Sequence, residues 1–408
     1  MRGAALKVLF IHWLFPCQFR YLAPALKAQG HDVRAIMDVA EPVPEGFDIL
    51  RYAAPDIGEG VHHLSRYFNL RMSCGEAVAR QAEALARTGF TPDLIIGHYG
   101  KGECLFIKDV FPGARFICYA DIFFRMEDTL FDAGFADDSL AARMRNTAVS
   151  PLFLTTAARA DALWAATHWQ AQTYPDLFAD RTHVVFDGID CDRCAPSPDT
   201  VLAIPNKGLT LRQGDEILLF AARNLEPARG YHRFMRVLPE IMRRRPNLQV
   251  LIAGGHGVTY SDPPPQGGSW KSVFLREVQG SLDPARTHML GSVPYDTFLD
   301  LLRIARAQLY FTQPYILSWS FFEAMSCGAL MIGSRGGPVE EVLEDGVNGR
   351  LVDLFDDNDI IETTVDALAR PDAHQPLREQ ARKTMLARYD GRRVCLPQQL
   401  ELVRKVMG

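Results

Sequence analysis

The chain holds 408 residues, 48% of them hydrophobic and 23% charged, with a formal net charge of −5. That length exceeds what one hydrophobic core usually supports, so two domains are expected. The acidic balance argues against nucleic-acid binding and does not indicate peripheral membrane contact, since both favour a basic excess. No apolar run reaches membrane-spanning length and no leader pattern precedes Lys7, so a cytoplasmic protein without a transmembrane segment is expected.

Along the chain, KVLFI reads as a buried strand, RYLAPALKAQ as a helix closed by Gly30, and HDVRAIM as the next strand. PDLIIGH and ARFICYA repeat the short apolar strand signature, and THVVFDGID is followed by the turn-rich CDRCAPSPDT. The rhythm then restarts with the strand EILLFAAR and the amphipathic helix YHRFMRVLPEIMRRRP, and NLQVLIAGG, QLYFTQ and ALMIGS supply further strands. RRVCLPQQLELVRKVM reads as a terminal helix that Pro397 either kinks or begins. Strand and helix alternating in this way predict an α/β protein of two Rossmann-like, doubly wound domains. The boundaries expected are 1–190, a linker at 191–210, a second domain at 211–390, and a terminal helix at 391–408 packing back towards the first domain.

Eight cysteines are scattered through the chain, and only Cys191 and Cys194 form a CxxC; with no second pair at matching spacing they read as thiols in a linker, not as a zinc site. The basic cluster Arg243 to Arg245 reads as a solvated helix end. The first strand ends in HWLFPCQF with no GxGxxG, which excludes a typical NAD or FAD site, and GxxxxGK[ST] is also missing.

Ligands of such sheets bind beyond the carboxyl ends of the strands. Arg223 follows a strand there and Arg229 lies just before a helix, so the pair suits a pyrophosphate; two surface arginines in ion pairs are the alternative. Glu323 sits where the loop around Ser318, Trp319 and Ser320 becomes the helix FFEAMSCG, whose first-turn amides form a phosphate site. Its carboxylate either meets a ribose diol or steadies the helix dipole. Gly254 and Gly255, like Gly336 and Gly337, follow strands where close backbone approach to a ligand is useful. His98 ends a strand beside a glycine-flanked Lys101, in reach of a sugar or leaving phosphate or else structural; His12 and Asp121 stand at other strand ends.

With these residues in hand, the chain resembles the retaining GT-B enzymes of glycosyltransferase family 4, from KVLFIHWLFPCQF through VVFDGID, RNLEPARG, LIAGGHG and SWSFFEAMSCG to VEEVLEDGVNGRLV. The resemblance implies two domains facing across a cleft, the first for the acceptor and the second for the nucleotide sugar. It assigns Arg223 and Arg229 to the donor diphosphate, Glu323 to the ribose, amides around Ser318 to Ser320 to the phosphates, and Ser292, Val293 and Pro294 to the base. Glu341 matches the acidic residue of a PEVV-like stretch, and His98 matches a histidine facing the transferred sugar; His98, Arg223 and Arg229 are thus the catalytic candidates. His12, Cys17, Gln18 and Asp121 fall on the acceptor side.

One departure stands out: Tyr315 occupies the place of the first Glu of the E-x7-E motif, as in a bacterial subgroup that the amino-terminal FPCQF and HYGKGECLFIKDVFP also resemble. It either shapes the sugar pocket or packs against Trp319 or the neighbouring strand.

The activity implied is transfer from a nucleoside diphosphate sugar to an acceptor hydroxyl with retention, by front-face substitution. No cofactor or metal is expected, because the arginines and helix amides would carry the leaving-group charge. The acceptor is a glycan, lipid-linked glycan, protein or small molecule. A GT-B epimerase or phosphorylase, or a non-catalytic nucleotide-sugar-binding protein, is the alternative.

Overall fold

The computed structural model describes residues 4–53, 56–58, 60–123, 140–204, 208–312 and 315–408. The chain divides into two compact units: the described residues of the first run to Gly188 and resume over Gly391–Gly408, and the second takes Ile189–Asp390.

The first unit is built on β1 (Lys7–Ile11), β2 (Asp32–Asp38), β3 (Asp48–Tyr52), β4 (Leu94–His98), β5 (Arg115–Tyr119), β6 (Ala162–Ala165) and β7 (Thr182–Val184). They form one parallel sheet in the order β3-β2-β1-β4-β5-β6-β7. Strands such as LIIGH are buried along their whole length because helices cover a parallel sheet on both faces. Leu9, Ile11, Ile36, Ile95 and Phe116 anchor a core shared with the helix Arg66–Arg87 through Val78, Ala82 and Leu85.

The chain reverses its direction of travel through the sheet between β1 and β4, so the loops after these two strands diverge. That leaves a crevice at the switch point, the usual place for a ligand.

The antiparallel pair β8 (Val201–Ile204) and β9 (Leu209–Arg212) opens the second unit, within and just beyond the stretch expected to be a plain linker. Its main sheet joins β10 (Ile217–Asn224), β11 (Gln249–Gly255), β12 (Thr287–Gly291), β13 (Ala307–Tyr310), β14 (Leu330–Ser334) and β15 (Arg350–Val352), all parallel, in the order β12-β11-β10-β13-β14-β15. Its switch point lies between β10 and β13. The amphipathic helix Tyr231–Arg244 buries Phe234, Val237, Leu238, Ile241 and Met242 against this sheet, the face its 3.6-residue period marks out.

The returning C-terminal segment begins with a close crossing. Gly188, at φ +90°, approaches Gly391 so tightly that a Cβ on it would lie 2.4 Å from the Gly391 Cα. The helix Leu396–Met407 follows, with Pro397 in its first turn, where a missing N–H costs nothing. Its buried Gln399 donates to the carbonyls of Phe186 and Asp187, each at 3.1 Å.

Two stretches singled out in the sequence make defined contacts. The segment around Cys191 and Cys194 is clamped, since Arg382 donates to both their carbonyls at 2.8 and 2.7 Å and both thiols are buried. The basic cluster stands at the exposed helix end and is also paired: Arg243 binds Glu240, Arg244 binds Glu362 and Arg245 binds Glu216, at 2.6, 2.5 and 2.6 Å.

Candidate functional site

At the first unit's switch point two histidines meet with fixed tautomers. His12 follows β1; its Nδ1 accepts the Leu14 amide at 2.8 Å, so Nε2 carries the proton and faces Gln18 Oε1 at 2.7 Å. His98 ends β4; its Nδ1 accepts the Gly100 amide at 2.9 Å, leaving Nε2 3.8 Å from Asp121 Oδ2. The two rings lie 4.9 Å apart, and His98 stacks on Tyr119 at 5.3 Å.

Burial holds His98 neutral by lowering its pKa to about 4, and His12 is pushed well below the usual value by burial, reinforced by His98 and Lys101. Asp121 moves the other way, up to about 7, through burial and then the charge of Asp187. Gln170 Nε2 fixes Asp121 by donating to its backbone oxygen at 2.6 Å and to Oδ1 at 3.1 Å. Cys17 sits at φ +38° with its thiol pushed up to about 12, first by burial and then by Asp187, so it stays protonated. Lys101 lies 4.2 Å over the Trp13 ring and 4.0 Å from Asp38 Oδ2.

In the second unit the two arginines differ sharply. Arg223, near the end of β10, is exposed, whereas Arg229, in the turn Pro227–Arg229, is only 6% exposed. The turn packs closely because the next residue is Gly230, at φ +67°, where a Cβ would lie 2.2 Å from that of Phe311. Arg229 Nη1 donates to Tyr310 Oη at 3.1 Å, to Thr312 Oγ1 at 3.5 Å and to the Ile316 carbonyl at 3.1 Å.

The Tyr260 and Tyr315 rings flank the guanidinium at 4.7 and 5.5 Å and contact one another at 4.7 Å. Tyr315 thus packs on Arg229 and Tyr260, neither of which the sequence singled out as its neighbour. Glu226, fully buried, pins the Tyr260 loop by accepting the amides of Thr259, Tyr260 and Ser261 at 3.1, 3.1 and 2.9 Å. Among the described residues no carboxylate lies within ion-pair distance of Arg229.

Ser318 caps the helix Trp319–Cys327. Its amide, expected to be open to a phosphate, donates to Tyr310 Oη at 3.0 Å, and its hydroxyl lies 2.6 Å from that of Ser320. Glu323 is one turn in and buried, with its Oε1 accepting the Tyr295 hydroxyl at 2.8 Å.

Gly254 and Gly255 close β11, where any Cβ would strike the Ala222 carbonyl at 2.6 Å or Asn224 Oδ1 at 2.5 Å. The same hypothetical Cβ of Gly255 comes within 3.4 Å of Ser292 Oγ, which places Ser292, Val293 and Pro294 beside this turn, with Pro294 leading into the helix Tyr295–Ile304. At the Gly336–Gly337 turn, Glu340 and not Glu341 accepts the Gly336 amide, at 2.8 Å.

Glu226, Tyr260, Tyr295 and Tyr310, which complete these contacts, do not stand out in the sequence. Their signal was weak because an aromatic or buried acid in a loop has no distinctive spacing. Among the described residues no group of three or more His, Cys, Asp and Glu could hold a metal ion, and no helix is long and apolar enough to cross a membrane.

Comparison with known proteins bears on both units. Residues 29–194 match the Glycosyl transferase family 4 group, and residues 206–384 match Glycosyl transferases group 1. One similar protein is the GDP-mannose-dependent alpha-(1-6)-phosphatidylinositol monomannoside mannosyltransferase of Mycolicibacterium smegmatis, 30% identical over 190 residues, covering 45% of this chain and 46% of that protein. Another is the D-inositol 3-phosphate glycosyltransferase of Mycolicibacterium vanbaalenii, 29% identical over 221 residues, or 52% and 46% of the two chains. The chain therefore spans about half the length of the curated relatives it matches.

Among solved structures, sucrose-phosphate synthase from Thermosynechococcus elongatus superposes with a TM-score of 0.73 at 17% identity, covering 98% of this chain and 99% of that one. HepE from Anabaena, in complex with UDP and glucose, gives 0.68 at 14% identity, covering 98% and 100%.

Proposed function

From the premise that the chain joins a Glycosyl transferase family 4 domain to a Glycosyl transferases group 1 domain on the GT-B fold, we propose that it transfers a sugar from a nucleoside diphosphate donor to an acceptor hydroxyl with retention. One observation carries the reading: Arg229 is a buried cation surrounded by hydroxyls, a carbonyl and aromatic faces, with no carboxylate partner among the described residues. A buried charge of this kind is costly unless an opposite charge arrives, and a diphosphate supplies one. That HepE is described with UDP and glucose, and a relative as GDP-mannose-dependent, supports a nucleotide-sugar donor here.

In this reading Glu323 accepts hydrogen bonds from the ribose, held in place by Tyr295, and the turns at Gly255 and Ser292 to Pro294 admit the base. Arg229 stabilises negative charge as the bond from anomeric carbon to phosphate oxygen breaks. The acceptor oxygen bonds to that carbon on the same face, and its proton passes to the departing diphosphate oxygen. The first unit takes the acceptor, with His98 a neutral Nε2–H donor at the switch point of that unit's own sheet. No metal is required, because the arginine supplies the counter-charge.

A thermal-shift panel with UDP, GDP, ADP and TDP tests the donor class, since a ligand at 100 times its dissociation constant stabilises by about 2.7 kcal/mol. The matching sugar nucleotide is then assayed for transfer or hydrolysis with and without EDTA. Stabilisation by one nucleotide and chelator-resistant turnover are expected. No stabilisation and no turnover would reject the activity, and EDTA-abolished turnover restored by Mg²⁺ or Mn²⁺ would reject metal independence.

A further inference from the structure

Tyr310 ends β13, one residue beyond Leu309, which faces the hydrophobic core; the alternation of a strand therefore sends the Tyr310 ring to the opposite face, where it meets Phe321 at 4.8 Å. Its hydroxyl oxygen is the point on which three donors converge: Arg229 Nη1 at 3.1 Å, the Ser318 amide at 3.0 Å and Ser318 Oγ at 3.3 Å. A phenolic oxygen offers two lone pairs, so the two shorter bonds, from Arg229 Nη1 and the Ser318 amide, already saturate it as an acceptor.

The donors come from separate segments, the Pro227–Arg229 turn and the cap of the helix Trp319–Cys327, which are 89 positions apart in sequence for Arg229 and Ser318. A diphosphate needs both at once: the guanidinium for its charge and the helix start for its amides. Resting on the reading given above, we infer that Tyr310 is a positioning residue of the donor diphosphate site, its hydroxyl holding the cation and the helix start in register.

The mechanism is geometric. The bonds from Arg229 to Tyr310, Thr312 and Ile316 leave through Nη1, and a guanidinium carries five N–H donors in a rigid plane, so anchoring that nitrogen helps set the plane in which the others meet an anion. Without the Tyr310 oxygen, Nη1 keeps the Ile316 carbonyl and the long contact to Thr312, and the Ser318 amide loses its partner. Ring packing against Phe321 is a separate role, and phenylalanine preserves it.

The test is Tyr310→Phe in the full chain, with calorimetric titration of UDP, GDP and ADP and NMR titration of the corresponding nucleosides. Loss of one hydrogen bond to a charged group predicts about a tenfold weaker affinity for the nucleoside diphosphate. Affinity for the nucleoside, which has no phosphate, should stay unchanged, while the melting temperature falls by a few degrees because the Ser318 amide loses its acceptor. Equal or tighter diphosphate binding by the variant overturns the inference while leaving the glycosyltransferase reading intact. Parallel loss of nucleoside affinity overturns it in favour of a structural role. A parent protein that binds none of the three diphosphates overturns both.

Discussion

The two sheets place polar groups at equivalent points, just past the strands that flank each switch point, yet fill them with opposite chemistry. In the first unit the groups are ones whose charge burial has altered: His12 and His98 are neutral and Asp121 holds its proton to about pH 7. In the second, the central group is Arg229, which has no neutral form available at any ordinary pH and is kept from water by tyrosines. The same topology thus carries uncharged buried groups in one unit and a buried cation in the other, which in the proposed reading take acceptor hydroxyls and an anion respectively. Strand order sets where a site lies, and the desolvation of a few side chains sets what it takes.

The sharpest way to break this contrast is to remove the charge on one side of it. Arg229→Gln should lower kcat/KM by roughly 2 to 4 kcal/mol, a factor of some thirty to a thousand, because it deletes a buried cation facing a developing anion. The melting temperature should not fall in proportion, since a buried charge without a carboxylate partner stabilises the free protein little. Unchanged kcat/KM in a folded variant would end the assignment.

A smaller effect tests the neighbour of the cation. Glu323→Gln keeps the side-chain oxygen that accepts the Tyr295 hydroxyl but loses the charge. Donor KM should rise about tenfold, as expected when a charged acceptor becomes neutral, with the fold intact. If Glu323 only steadies the helix, nucleotide affinity will not move.

The fold is legible in the sequence, because the alternation of strand and helix is a local pattern; Arg223, Arg229, His98 and Glu323 stand out as candidates because they lie at strand ends or helix starts. What remained hidden depends on contacts between distant segments. Tyr310 reads as one more apolar strand residue until Arg229, 81 positions away, reaches its hydroxyl. Glu226 shows its use only when the Thr259 to Ser261 amides fold over it. That Glu340 accepts the Gly336 amide depends on how the short helix Val339–Val342 is rotated, which local spacing does not show.

The smallest expected effect sharpens the other side of the comparison. Asp121 has its pKa raised to about 7, whereas an unfolded aspartate titrates near 3.9. Between these values the folded chain holds a proton that the unfolded chain has released, so this group makes stability fall as pH rises from about 4 to about 7. The penalty is absent below that window and complete above it. His12 and His98 act with the opposite sign: their folded pKa values lie below the usual 6.5, so the unfolded chain binds more protons and stability rises with pH up to that point.

In the parent the two slopes oppose one another, and Asp121→Asn removes only the first. The variant should melt with the parent near pH 4 and above it at pH 8. The full shift of about three pKa units would amount to roughly 4 kcal/mol. With 22% of the Asp121 side chain exposed, a gain of about 1 to 2 kcal/mol, or a few degrees in melting temperature, is expected. Melting curves of both proteins across pH 4 to 8 decide it. A difference that is constant with pH would mean that Asp121 is ionised throughout and that the first site, like the second, is built around a fixed charge.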